Sequence, residues 1–203
     1  MAGHSRDTPV RPDAANPSRR ALHRPSGQSV RVEAVLFTGL FGVGKSTVAA
    51  EMADILEVVG LPYAALDLDW LTWCNVGDGG RRSEHAMLLR NLDGIVSNYR
   101  AAGVRYFVLA RSIRDRDELA SLAATIAMPL RAVELAVSLE DIKRRLAADP
   151  KAGRRDDIAE STAWLENGQG SGLTEYIVEN NRPVRAVALE ILEWLEWPSR
   201  LNE

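Results

Sequence analysis

Cysteine is almost missing from this chain. Cys74 stands alone, so no intramolecular disulfide can form, and a reducing, cytoplasmic setting is expected. Histidine is nearly as scarce. Of three, His4 and His23 fall in the first 31 residues and only His85 lies further on, which argues against a histidine-built metal site. No apolar stretch approaches the roughly 18 residues that cross a bilayer, and the N-terminus has no apolar core of secretory type, so no membrane partner is expected. An excess of one charge is absent too: 25 Lys and Arg against 28 Asp and Glu leave a net charge of -3. That removes any global pull toward nucleic acid, which is not the expected partner. No internal repeat is visible.

What is present suits one domain of ordinary size: 203 residues, 46% of them hydrophobic. Residues 1–31 carry Arg6, Arg11, Arg19, Arg20 and Arg24 among Pro, Ser, Ala and Gly, with almost nothing large and apolar to bury. They read as a disordered basic arm, and residues 32–200 as the folded domain. Within it, strand-like runs begin at Val32, Tyr63, Val104, Leu130 and Glu175. Segments of helical period separate them, the last opened by Pro183 with Val187, Ala188, Ile191 and Leu192 on one face. Ser138, with Asp141 three residues on, marks another helix start. The alternation predicts an α/β fold, a five-stranded parallel sheet in three layers with helices on both sides.

Between the first strand and first helix lies Gly39-Leu40-Phe41-Gly42-Val43-Gly44-Lys45-Ser46, which fits G-x-x-x-x-G-K-[ST] at every fixed position. A strand feeding a glycine-rich turn that opens a helix aims backbone N–H groups and the positive end of the helix dipole at one point, where a polyphosphate can sit. Lys45 then reaches the outer phosphates and the Ser46 hydroxyl holds Mg²⁺, with ATP as the expected nucleotide and GTP not distinguished.

Asp67 and Asp69 close the second strand, at the sheet edge where open parallel sheets bind ligands. Two apart on an extended chain, they are expected to face the same way. Asp67 is assigned beside the metal or Lys45, and Asp69 is the general-base candidate, with their order open; capping of the next segment is the structural alternative. The third strand ends in Arg111, where a motor-type ATPase has its Mg²⁺-binding Asp. Arg111, Arg114 and Arg116 are expected to clamp an anionic acceptor or the transferred phosphoryl group, with at least one serving instead as an ordinary surface charge or a helix-start partner of Asp115, Asp117 or Glu118. Trp70 adjoins the same acceptor pocket, and Arg81 and Arg82, read as part of the loop 75–83, either join it or form a solvated pair. Basic residues around Asp149-Pro150 predict a lid over residues 144–157, in which Arg145 and Arg154 contact the triphosphate.

On these residues the chain resembles the P-loop kinases of small molecules and nucleotides, the group that includes adenylylsulfate, shikimate, gluconate and chloramphenicol kinases. The resemblance spans about Val32 to Trp197, and Leu66-Asp67-Leu68-Asp69 and Arg114-Asp115-Arg116-Asp117 echo adenylylsulfate kinase in particular. It implies nucleotide contacts at Gly39, Phe41, Gly42, Val43, Gly44, Lys45, Ser46 and Thr47, an acceptor hydroxyl facing Asp67 or Asp69, and an adenine lined by the segment containing Asn181 and Pro183. Two departures matter: the family's Asp-Gly-Asp-Asn string is here Asp67-Leu68-Asp69-Trp70, and its Ser-Pro-Tyr-Arg lead is Ala110-Arg111-Ser112-Ile113. They point away from adenylylsulfate as acceptor.

The expected function is therefore an ATP- and Mg²⁺-dependent kinase acting on a hydroxyl of a small molecule. Its rivals are a 5′-hydroxyl nucleic-acid or nucleotide-sugar kinase of the same fold, and a nucleotide-dependent switch with little turnover. A homodimer is left open.

Overall fold

The computed structural model describes residues 31–74, 80–148, 163–164 and 172–198. The elements follow the expected alternation: β1 (Glu33–Thr38), α1 (Lys45–Val58), β2 (Tyr63–Asp67), a 3-10 turn (Leu68–Thr72), α2 (Gly80–Ala101), β3 (Tyr106–Ala110), α3 (Arg116–Ile126), β4 (Leu130–Ala136), α4 (Leu139–Ala148), β5 (Tyr176–Glu179) and α5 (Val184–Trp194). The five strands form one parallel sheet in the order β2-β3-β1-β4-β5.

β1 sits at the centre because its residues are apolar on both faces. Val35 and Phe37 point into a core shared with Met52 and Leu56 of α1 and Ile191 and Leu192 of α5. Ala34 and Leu36 point the opposite way, to Leu88 and Leu92 of α2 and Leu122 of α3. The sheet is thus the middle of three layers, and it sets the C-terminal ends of β1, β2 and β3 side by side. Among the described residues no helix is long and apolar enough to cross a membrane.

Helix starts obey local chemistry. Asp115 caps α3 by accepting the Glu118 N–H at 2.8 Å, and Ser138 Oγ accepts the Asp141 N–H at 3.1 Å before α4. Three boundaries differ from expectation by two residues or more. β2 stops at Asp67 because its carboxylate accepts the Asp69 N–H at 3.1 Å and starts the 3-10 turn, so Asp69 does not lie on an extended strand. β3 starts at Tyr106, since the Val104 N–H goes back to the Tyr99 carbonyl at 3.0 Å and closes the end of α2. Helix α2 begins at Gly80, which places Arg81 and Arg82 in its first turn and not in a loop. The arm 1–30 and most of the lid, Arg154 included, lie outside the described residues; residues 144–148 are the end of α4.

Candidate active site

The turn from β1 into α1 is shaped by two close approaches. Gly39, at φ 125°, has room for no side chain: a Cβ there would stand 2.8 Å from the Leu135 carbonyl oxygen. Gly44, at φ 97°, is the N-cap of α1 and carries no side-chain cap, so no capping side chain takes up the helix's first N–H groups, an arrangement suited to receiving an anion. Lys45 opens the helix, buried, and its Nζ donates to the carbonyls of Gly39 at 3.1 Å and Leu40 at 2.9 Å. Burial lowers its pKa from 10.5 to about 8, while the carboxylates of Asp69 and Asp67 pull the other way. The Phe41 ring stands 5.4 Å from Nζ.

Asp67 does two things at once. One carboxylate oxygen starts the 3-10 turn, and the other accepts the Ser46 hydroxyl at 2.5 Å. Asp69 reaches the same corner from inside the turn, where its Oδ1 meets Arg111 Nη1 at 2.7 Å. Loss of solvation raises the Asp69 pKa most; Arg111 opposes this and the neighbouring Asp67 adds to it. Arg111 is itself divided, donating through Nε to Glu118 Oε1 at 3.1 Å, and Glu118 also accepts the Arg114 N–H at 3.0 Å. The Arg111 charge is therefore met by two carboxylates from this chain. The helix-start role foreseen for one arginine of this group falls to Arg111, and Arg116 turns to the Gly172 carbonyl.

Behind the loop, the Val43 carbonyl accepts Asn180 Nδ2 at 2.6 Å and Arg145 Nη1 at 3.2 Å, while Arg145 Nη2 donates to the Asn180 carbonyl at 2.6 Å. Asn180 is only 6% exposed and follows β5 directly. In a trans peptide the C=O and N–H point in opposite directions. Fastening the Val43 carbonyl thus holds the Gly44 N–H facing away from Asn180. Sequence reasoning passed over Asn180 in favour of Asn181, which is exposed and whose described hydrogen bond goes to Glu179, at 3.5 Å. Nothing in the local pattern separates the two; the register of β5 on β4 does.

No protein-family profile matches the chain. It is 30% identical over 122 residues to a probable adenylyl-sulfate kinase of Aeropyrum pernix, an alignment covering 58% of this chain and 64% of that protein. The matched region thus spans a little under two thirds of that relative. Among solved structures, a sugar kinase from Janibacter superposes with a TM-score of 0.60 at 19% identity, covering 82% of this chain and 95% of that one. The Mycobacterium tuberculosis APS kinase bound to AMPPNP and APS gives 0.54 at 23% identity, with 83% and 99% covered. The chain has the P-loop kinase fold.

Within that fold the remaining expected residues scatter. Ser46 and Thr47 are exposed at the first turn of α1, open to a ligand. Pro183 is the N-cap of α5, beside the exposed Asn181. Trp70 is 65% exposed and pairs with Trp73, ring centroids 4.5 Å apart, on the outside of the 3-10 turn. The Arg114 guanidinium lies 5.9 Å from the Trp164 ring. The side chains of Arg81 and Arg82 fall outside the described set. For Mg²⁺ the donor set fits: Ser46 Oγ and Asp67 Oδ2 are hard oxygens 2.5 Å apart, within one coordination sphere, and Mg²⁺ in P-loop kinase folds needs few protein ligands because phosphates complete the shell.

Proposed function

We propose that the chain is an ATP- and Mg²⁺-dependent kinase that transfers the γ-phosphoryl group to a hydroxyl of a small molecule. The observation that carries this reading is the meeting of Lys45 and Ser46 with Asp67 and Asp69 at one sheet corner, the Ser46–Asp67 hydrogen bond closing it at 2.5 Å. The N–H groups at the start of α1 and the Lys45 ammonium hold the phosphates. Ser46 and Asp67 are the residues that would hold Mg²⁺, which when bound neutralises charge on the phosphate oxygens. Asp69, its pKa raised and its orientation fixed by Arg111, accepts the proton of the acceptor hydroxyl; that oxygen forms the new bond to phosphorus as the bond to the ADP oxygen breaks. A base whose pKa lies above the ordinary carboxylate range is better matched to a hydroxyl than an unperturbed one.

The names of the relatives, kinases of adenylylsulfate and of sugars, support the reaction class. The test is nucleotide binding and acceptor-dependent ADP release in Lys45→Ala and in the double variant Asp67→Asn with Asp69→Asn. Both are expected to be inactive in turnover, and Lys45→Ala to lose ATP binding as well. Retention of ATP binding and turnover by Lys45→Ala would remove the proposal.

A further inference from the structure

Where β3 ends, the chain does not come free of the sheet. Backbone pairing with β1 runs one residue further, the Arg111 N–H donating to the Phe37 carbonyl at 3.0 Å. Side chains then take over. Ser112 Oγ donates to the Gly39 carbonyl at 2.8 Å, and Thr38 Oγ1 accepts the Ile113 N–H at 2.9 Å. Ile113 itself is buried in the core with Leu88 and Leu122. Residues 111–113 are thereby seated against Thr38 and Gly39, where the phosphate loop begins, and the Gly39 carbonyl is also the one that Lys45 Nζ meets at 3.1 Å. Arg111 starts from backbone that is tied to the loop.

Its side chain is held by a different residue. Glu118, in the first turn of α3, gives both carboxylate oxygens to this segment: Oε1 accepts from Arg111 Nε at 3.1 Å and Oε2 accepts the Arg114 N–H at 3.0 Å. The Glu118 N–H is in turn the one that Asp115 caps, so its backbone is held as well. A guanidinium is planar, with Nε in the plane of both Nη atoms, so a carboxylate on Nε fixes the direction in which Nη1 points. It points at Asp69 Oδ1, 2.7 Å away. Among the described hydrogen bonds, Glu118 reaches Asp69 only through Arg111. The side chains of Arg111 and Glu118 are 20% and 14% exposed, that of Asp69 48%. An ion pair this open to water is weak when both partners are free to move. Here one partner is already held, and less freedom remains to be lost.

We propose that Glu118 is a positioning residue: acting through Arg111, it keeps the Asp69 carboxylate at a fixed place relative to Lys45 and the phosphate loop, where the acceptor hydroxyl gives up its proton. The proposal rests on the kinase reading for its chemical consequence, and on the hydrogen bonds alone for its geometry. A misplacement of about 1 Å costs on the order of 10²-fold in rate, so a carboxylate on an unheld arginine is a poorer base with no change in how nucleotide binds.

Two measurements test it, one independent of turnover. In protein carrying isotope-labelled arginine, with the Arg111 resonances assigned through Arg111→Lys, the Nε–H is expected to exchange slowly with water and rotation of the Nη groups to be hindered. Glu118→Ala is expected to lose both signatures. ADP release from Mg²⁺-ATP is then followed with water and with glucose as acceptors. Glu118→Ala is expected to lower kcat about 100-fold, to leave the Kd for ATP unchanged, and to cost nothing more once Asp69→Asn is present. A role confined to stability would weaken ATP binding along with turnover and would add to the effect of Asp69→Asn. Arg111 signatures that persist in Glu118→Ala, an unchanged kcat, or a loss additive with that of Asp69→Asn overturns the proposal. Where Glu118→Ala fails to fold, Glu118→Gln, which keeps the shape of the side chain but has one accepting oxygen for two donors, is read in the same way with a smaller effect. A wild type that binds ATP but releases no ADP with either acceptor counts against the kinase reading alone, and the Arg111 resonances still decide the placement.

Discussion

Lys45 is the residue at which pH enters this protein. Burial brings it from 10.5 to about 8, so between those values the folded chain binds fewer protons than the unfolded one and its stability rises with pH. Below about pH 8 the buried charge opposes folding in full. A polyphosphate beside it favours the ammonium, so nucleotide binding takes up a proton once the pH exceeds 8. ATP affinity is expected to fall about tenfold per unit above that point, with a binding heat that depends on the buffer's ionisation enthalpy. Titration calorimetry in two buffers near pH 9 checks it, and Lys45→Arg is expected to remove the buffer dependence. Asp69 sets the opposite limb. Its raised pKa means that the base form is lost as pH falls through a value above the ordinary carboxylate range. Asp69→Asn is expected to lower kcat by about 10²- to 10⁴-fold with ATP affinity near that of the unaltered protein. Kcat and Kd measured separately distinguish this from a general loss of fold.

At the scale of the element, the phosphate loop is held from outside as much as from within. The Val43 carbonyl is fixed by Asn180, from the end of β5, and by Arg145, from α4. Asn180→Ala leaves that carbonyl with one donor and frees the Val43–Gly44 peptide to rotate. ATP is expected to bind more weakly by about 1–3 kcal/mol, a factor of roughly 5 to 150, while adenosine, which presents no phosphate, binds as before. Fluorescence titration with the two ligands reads the difference. Gly39→Ala is expected to be the harsher change, because a methyl group 2.8 Å from the Leu135 carbonyl meets backbone on β4 and φ 125° strains any side chain. Its melting temperature without ligand should fall along with ATP binding. The glycine-rich turn was legible in the sequence because its pattern is local. The Asn180–Arg145 clamp was not, because it joins residues 102 and 137 positions from Val43. Asp69 lies between these cases: its place with Asp67 at the acidic end of β2 was expected, but the extended strand that was to place it is replaced by a turn that Asp67 itself nucleates.

For the whole molecule, the sheet couples two cores that no helix spans. Met52 on the α1–α5 side and Leu92 on the α2–α3 side are both fully buried, and neighbouring residues of β1 enter each core. Met52→Ala and Leu92→Ala are each expected to cost about 2–5 kcal/mol and to shift one common unfolding transition. Tryptophan fluorescence and far-ultraviolet circular dichroism should give coincident midpoints in both variants; two separated transitions would show the layers unfolding independently.

The residues of the chain determined by themselves the order of strands and helices, the place of the phosphate loop and the acidic corner facing it, since each depends on periodicity, turn chemistry and neighbours a few positions away. Which carboxylates meet Arg111 and which asparagine holds the loop were decided only by tertiary structure. Arg111 is matched with Asp69 and Glu118, Asn180 with Val43, and Glu134 with the Thr174 side chain, because strand order and register bring those groups together. Charge pairing across elements depends on distances that no one-dimensional pattern encodes.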